Sequence, residues 1–388
     1  MVDEHTFSRR AFLSKGSAWM LLFAAQNPFR FILSSRTRPS IYWSASEVPG
    51  LRSVSAVRKS VAAGIPGQTY AAIREAVRRS MDAGPILPST PVMGRSPASI
   101  ANANPDFYVT NAAGQRLLQA AFVTVVEDDP VFAEPALDQL ECLFDESKWI
   151  QWIDQAHMRF GHPVDLRTGM LAEAIGLTFD WLFPYLSEAK RKSIVNGLDR
   201  RAIQPFKTAL GQDPWWLRDK NNWMTTIVGG LGIAGMAVID EHPDSDFLIE
   251  FALARMEDYL SIYGPNGEFN ESVSYANATV RPVAVFEAGR YSSGGNNNRL
   301  ASYPFPETCQ WIQYLTLPPG RVAAFGDSHV DRHPWTSYIA AVAAASRDPV
   351  LQWFHETFGE ETTDPVAFLW HDLTLRAISP LDAGLPLG

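Results

Sequence analysis

Glu271 and Tyr275 stand four residues apart in the stretch GPNGEFNESVSYANATV, residues 264–280. Four residues is about one helical turn, so on a helix this carboxylate and phenol share a face. A pair of this kind can move a proton or orient a hydroxyl group. Other side chains with chemical potential lie in short clusters. Asn221 and Asn222 precede Trp223, directly after Arg218, Asp219 and Lys220. FGDSH, residues 325–329, holds Asp327 and His329, and an imidazole is suited to proton transfer near neutral pH. Arg167, Arg218, Lys220 and Arg281 are the cations available to an anionic ligand. Trp215, Trp216 and Trp223 crowd one segment and could form a stacking platform. Each residue also has a plainer reading. Tyr275 could pack against a core, Asn222 could cap a helix, and Glu271 could be a first-turn carboxylate. His329 could be a surface loop residue, the cations solvated charges, and the tryptophans core.

These residues need elements to hold them, and the pattern is helical. QTYAAIREAVRRSMDAG, residues 68–84, is a helix stopped by Gly84-Pro85. Helix-compatible runs follow at 114–126, at 130–154 with Pro130 in a first turn, and at 168–184. Ser187 is placed to cap the helix that follows it. Residues 222–239 (NWMTTIVGGLGIAGMAVI) are nearly all apolar or small, as in a buried helix whose glycines admit a close neighbour. Residues 244–263 are strongly periodic, and further helices are expected near 306–315, 334–346 and 349–358. Alternating strand patterns are scarce. The fold class is therefore all-α, and paired helices with buried aromatics point to an incomplete α/α toroid, a barrel of helical hairpins. SSGGNNNR, residues 292–299, reads as a loop.

The N-terminus reads as an address. Arg9-Arg10 within SRRAFLSK leads into the short apolar run AWMLLFAA. That plan resembles a twin-arginine (Tat) export signal, which makes residues 1–35 a signal peptide and residues 36–388 the mature domain. The expected location is the periplasm or the exterior, with the Tat translocase as a partner during export. The bulk composition agrees with a globular chain: 388 residues, 46% hydrophobic and 19% charged. Twelve tryptophans suit a cleft that stacks sugar rings, and a large helical core would use them equally. The formal charge of −9 argues against nucleic acid as a partner. Cys142 and Cys309 belong to no metal-binding pattern and read as two buried thiols. No metal and no cofactor is expected.

Four phrases in order carry a resemblance: HPVDLRTGMLAEAIGLTFDWLFPYLS (162–187), DKNNWMTTIVGGLGIAGMAV (219–238), YGPNGEFNESVSY (263–275) and GRVAAFGDSH (320–329). Together they resemble the helical domain of heparinase II/III-like polysaccharide lyases, in a superfamily that also holds chondroitin and alginate lyases. The resemblance covers residues 45–388. It implies a toroid followed by an antiparallel β-sandwich, with the cleft between them. This sequence stops at SPLDAGLPLG, about where that sandwich would begin, so a separate sandwich domain or chain is an expected partner. The implied substrate is an anionic, uronate-containing polysaccharide or oligosaccharide.

Uronate β-elimination needs a neutralised carboxylate, a base for the C5 proton and an acid for the leaving oxygen. The resemblance assigns base and acid to Tyr275 and carboxylate neutralisation to Asn222, with Asn221 as the other candidate. Glu271 could orient Tyr275 or a substrate hydroxyl, and His329 could transfer protons. Asn221, Trp223, Arg218, Lys220, Arg281 and Asp327 are the expected substrate contacts. Ser272 stands where the family often has glycine after the glutamate. Two other readings stay open. A toroid hydrolase would use a carboxylate pair drawn from Asp219, Glu271 and Asp327. A non-catalytic chain would be a glycan-binding module.

Overall fold

Helix starts in this chain are written by short polar side chains. A computed structural model describes residues 37–385, apart from 102–103, 270, 318–319, 329–333, 335, 360–361 and the side chain of Asn277. Ser53 caps α1 (Val54–Ser60), which precedes α2 (Gly64–Met81) and α3 (Pro97–Ala101). Asp106 caps α4 (Phe107–Glu127), and α5 (Glu134–Phe144) follows a 3-10 turn. Asp165 and Thr168 form a reciprocal capping box at the start of α6 (Leu166–Leu182). Ser187 caps α7 (Glu188–Leu198), as its position in the sequence implies. Then come α8 (Gln204–Leu210), α9 (Trp215–Arg218), and α10 (Asn222–Ala237), capped by Asn221. The remaining helices are α11 (Ser245–Tyr259), α12 (Val280–Ser292), α13 (Phe305–Tyr314), α14 (Ser337–Ser346), α15 (Pro349–Phe358) and α16 (Pro365–Trp370). The chain is all-α: among the described residues the named strands are Thr316–Leu317 and Arg321–Val322, an antiparallel pair with Thr316 opposite Val322.

The expected helix at 130–154 is shorter than its pattern suggests. It ends at Phe144, where Asp145 turns to extended backbone and its carboxylate accepts from Ser147. The helix expected from 334 begins at Ser337.

The α10 glycines explain the packing. A methyl group on Gly230 would collide with the Gly169 carbonyl of α6, and one on Gly232 with the Ala252 side chain of α11. The helix is therefore pressed between two neighbours at near-backbone contact, which only a small residue permits. Around it the inner helices follow one another: α4 packs on α6, α6 on α10, α10 on α12, α12 on α14, α14 on α16, and α16 returns to α4. Helices α5, α7, α11 and α15 pack on α4, α6, α10 and α14 respectively. The core sits among these helices, with Trp43, Trp149, Trp181 and Trp216 fully enclosed.

The segment before α1 is a strap rather than a tail. Asp180 of α6 is buried and accepts from Ser40 N (2.8 Å), Ser40 Oγ (2.9 Å) and Ile41 N (2.8 Å). Tyr42 Oη donates to the Ala284 carbonyl of α12, and Arg52 to the Phe368 carbonyl of α16. Both cysteines are buried and unbridged. No helix among the described residues is long and apolar enough to cross a membrane. The expected signal segment, residues 1–35, lies outside the described residues, as does His329.

Candidate active site

The inner helices end on a cavity of about 1860 Å³. Their N-terminal residues reach it, through Phe107 of α4, Arg167 of α6, Asn222 of α10, Arg281 of α12, Ser337 of α14 and the Asp364 cap of α16, and α4 and α16 line it further along their length. Helix N-termini carry partial positive charge, which the Asp106, Asp165 and Asp364 caps partly offset here.

Tyr275 reaches the cavity from a loop that the sequence misrepresents. The GPNG turn closes with Gly267 N donating to the Gly264 carbonyl (2.8 Å). Gly267 has φ +78°, and a methyl group there would strike the backbone of Thr308. The expected helix bearing both Glu271 and Tyr275 does not form. Glu271 lies in a bend, and Tyr275 opens a 3-10 turn, Tyr275–Thr279, that runs into α12. The reason is where the helical turn begins. Ser272 acts as the cap: its Oγ accepts from Tyr275 N (3.0 Å) and its carbonyl from Ala276 N (3.1 Å), while Ser328 Oγ accepts from Ser274 N (2.9 Å), so the helical turn starts after Glu271. Tyr275 is 37% exposed and lines the cavity, which rules out the core-packing reading.

The same contacts join two of the sequence phrases. Gly326 packs so closely on the Glu271 carbonyl that a methyl group has no room, and its φ is +53°. Asp327 follows it into the cavity wall. Burial, and then the neighbouring Asp327 carboxylate, push the Glu271 carboxyl above its ordinary range.

The two asparagines divide their tasks. Asn221, not Asn222, is the cap: its Oδ1 accepts from Trp223 N (3.0 Å) and Met224 N (3.3 Å). Asn222 is thereby free to face the cavity. Asn221 and Trp223 are not among the cavity-lining residues. Trp223 instead packs against His157, Phe160 and Trp215, with ring centroids 4.4, 5.6 and 5.1 Å away. Arg218 and Lys220 are also absent from the lining. Arg218 pairs with Asp213 at 3.4 Å, and Lys220 with Asp258 at 2.8 Å. Asp219 is exposed and does not line the cavity. The sequence placed these side chains by proximity to Asn222, but a helix start sends successive residues in different directions.

Of the expected cations, Arg281 and Arg167 line the cavity, and both are held by acids. Arg281 pairs with Glu173 of α6, and Arg167 Nη2 lies 2.7 Å from Asp154 Oδ2. Arg167 Nε is buried without a hydrogen-bond partner. Among the described residues no group of three or more His, Cys, Asp or Glu is placed to hold a metal ion.

Two features of the wall escaped the sequence reading. His355, His371 and Glu356 line the cavity together. Thr336 Oγ1 lies 3.0 Å from His355 Nδ1, the two imidazoles meet edge to face at 5.0 Å, and His371 Nε2 lies 3.4 Å from Glu356 Oε1. Burial, then the neighbouring His371, hold His355 down to about 3. His355 is in α15 and His371 follows α16, so no local motif joins them. The second feature is a stripe on α4, Phe107, Asn111, Gln115 and Gln119, which faces the cavity at strict four-residue spacing. Its signal was available: polar side chains at helical period on an otherwise buried helix.

No protein-family model matches the chain, and no curated protein matches it.

Proposed function

We propose that the protein is a polysaccharide lyase that cleaves uronate-containing chains by β-elimination, on a helical scaffold read as an incomplete α/α toroid. The observation that carries this reading is the meeting of Asn222, Tyr275, Arg167 and Arg281, from four separate helices and turns, on one cavity. Asn222 neutralises the uronate carboxylate by hydrogen bonding, and the two arginines, though paired with acids, add N–H donors. That stabilises the carbanion-like state formed when C5 loses its proton. Tyr275 takes that proton and returns one to the leaving glycosidic oxygen. Glu271 orients the substrate or the phenol from the bend beside it. The twin-arginine segment supports export through the Tat pathway to the periplasm or beyond, where such polymers are met.

The test is ultraviolet absorbance from the conjugated uronate product. Residues 36–388 are incubated with uronate polysaccharides beside a Tyr275→Phe variant. The wild type should generate the signal, and the variant should lose about 100-fold or more of the rate. A signal that survives in the variant removes Tyr275 from the mechanism, and a flat signal from folded wild type sinks the lyase reading.

A second reading has its own support. Burial and the neighbouring Asp327 carboxylate push the Glu271 carboxyl upward, and a glycoside hydrolase needs two carboxyl groups close together. Under it, Glu271→Gln abolishes reducing-end release while Tyr275→Phe leaves most of it, and products carry no new double bond.

A further inference from the structure

The turn Tyr275–Thr279 is anchored differently at its two ends. At its far end Thr279, 1% exposed, hydrogen-bonds Tyr263 Oη in the core, and the Tyr263 carbonyl accepts from Tyr303 Oη (3.0 Å). At its near end the bonds of Ser272 are local, since Tyr275 N and Ala276 N belong to the same short stretch. Among the described residues, the hydrogen bond that ties this end to another segment runs from Ser274 N to Ser328 Oγ (2.9 Å). Ser328 is buried and stands 54 residues further along the chain.

The segment that supplies Ser328 is itself held. Phe325–Ser328 is a tight turn in which Ser328 N donates to the Phe325 carbonyl (3.0 Å). Gly326, its second residue, has φ +53°, a region that glycine enters without strain. A methyl there would overlap the Glu271 carbonyl, so the turn is seated directly on the chain that leads into Tyr275. Phe325 packs edge to face on Trp311 of α13, with ring centroids 6.0 Å apart, which fixes the turn to a helix. We propose that Ser328 is a positioning residue. By accepting from Ser274 N it sets the start of the Tyr275 turn, and so the direction in which the phenol enters the cavity. Tyr275 is 37% exposed, so its aim comes from its backbone more than from packing around the ring. The catalytic consequence rests on the lyase reading, in which Tyr275 transfers the proton and a misplacement of about 1 Å costs about 100-fold in rate. The contact itself does not rest on it.

Backbone amide hydrogen exchange reads the contact without any substrate. The Ser274 N–H should exchange slowly in the wild type, and Ser328→Ala should speed it by about tenfold or more. Phe325→Ala, at a 38%-exposed position, loosens the same turn with less risk to folding and should act in the same direction. Absorbance assays on uronate polysaccharides read the consequence. Ser328→Ala should lower kcat by about 10–100-fold and leave KM within about twofold, because the displaced group acts in the transition state. In a Tyr275→Phe background the same substitution should cost about twofold or less, since residues that act as a unit are not additive. A Ser274 N–H that exchanges freely in the wild type, exchange unchanged by both substitutions, a raised KM with kcat unchanged, or an equal loss in the Tyr275→Phe background overturns the proposal. The two levels separate cleanly. Exchange that depends on Ser328 in a wild type that eliminates nothing keeps the contact and removes the lyase. Elimination untouched by Ser328→Ala, with exchange raised, keeps the lyase and removes the positioning role.

Discussion

His355 shows how a single residue in this wall couples to pH. Burial and then His371 hold its imidazole down to about 3, and His371 is lowered too, chiefly by burial. An unfolded histidine titrates near about 6.5. Between those values the unfolded chain binds more protons than the folded one, so stability rises with pH. The contribution is complete above about pH 6.5 and is lost as pH falls toward 3. His355→Gln, which stays neutral throughout, should flatten the dependence of Tm on pH between about 7 and 4.5. Parallel curves for the two proteins would show that the imidazole is not held neutral. Tyr275 differs in kind: its exposure to the cavity gives it access to ligand, and its backbone is set by Ser272.

At the scale of elements, the decisive contact is α6 against α10. Gly169 and Gly230 face each other so closely that a methyl on Gly230 meets the Gly169 carbonyl directly. Gly230→Ala must part the helices that carry Arg167 and Asn222 into the cavity. Overpacking of this kind destabilises by about 1–3 kcal/mol or more. Urea unfolding should show a lower midpoint, with ligand affinity falling as well. An unchanged midpoint would mean that the helices have slack. Gly235→Ala is the matched control, because a methyl there meets the Leu248 side chain first and the Ser245 carbonyl at 3.2 Å, on the α11 side. It should affect stability more than ligand affinity.

At the scale of the molecule, the strap before α1 ties distant parts together. It bonds to Asp180 of α6, Ala284 of α12 and Phe368 of α16. Asp180 is 1% exposed and collects three hydrogen bonds from Ser40 and Ile41. Asp180→Ala leaves two buried N–H groups without an acceptor. The loss should be about 3–5 kcal/mol, the range for removing one partner of a buried charged network. Chemical denaturation measures it, and a loss under 1 kcal/mol would show that the strap contributes little. The ring of contacts from α4 back to α4 depends on such ties, since the helices that close it are far apart in sequence.

The sequence by itself determined the helices. A nearly unbroken run of apolar and small residues marked α10, apolar period marked α11, Ser187 marked the start of α7, and the α10 glycines announced a close neighbour, because each signal is local and set by backbone geometry. It also singled out Asn222, Tyr275, Arg281 and Asp327, all of which line the cavity. Tertiary structure decided the rest. It tied the Ser274 N–H to Ser328 Oγ, which brings the two phrases holding Tyr275 and Asp327 together. Arg218, Lys220 and Trp223 lie beside Asn222 in the chain yet outside the cavity lining, because direction at a helix start changes with every residue. His355 and His371 became neighbours only through the packing of α14 against α15 and α16. Local interactions fix where helices begin and end; only the closed packing of those helices fixes which side chains meet.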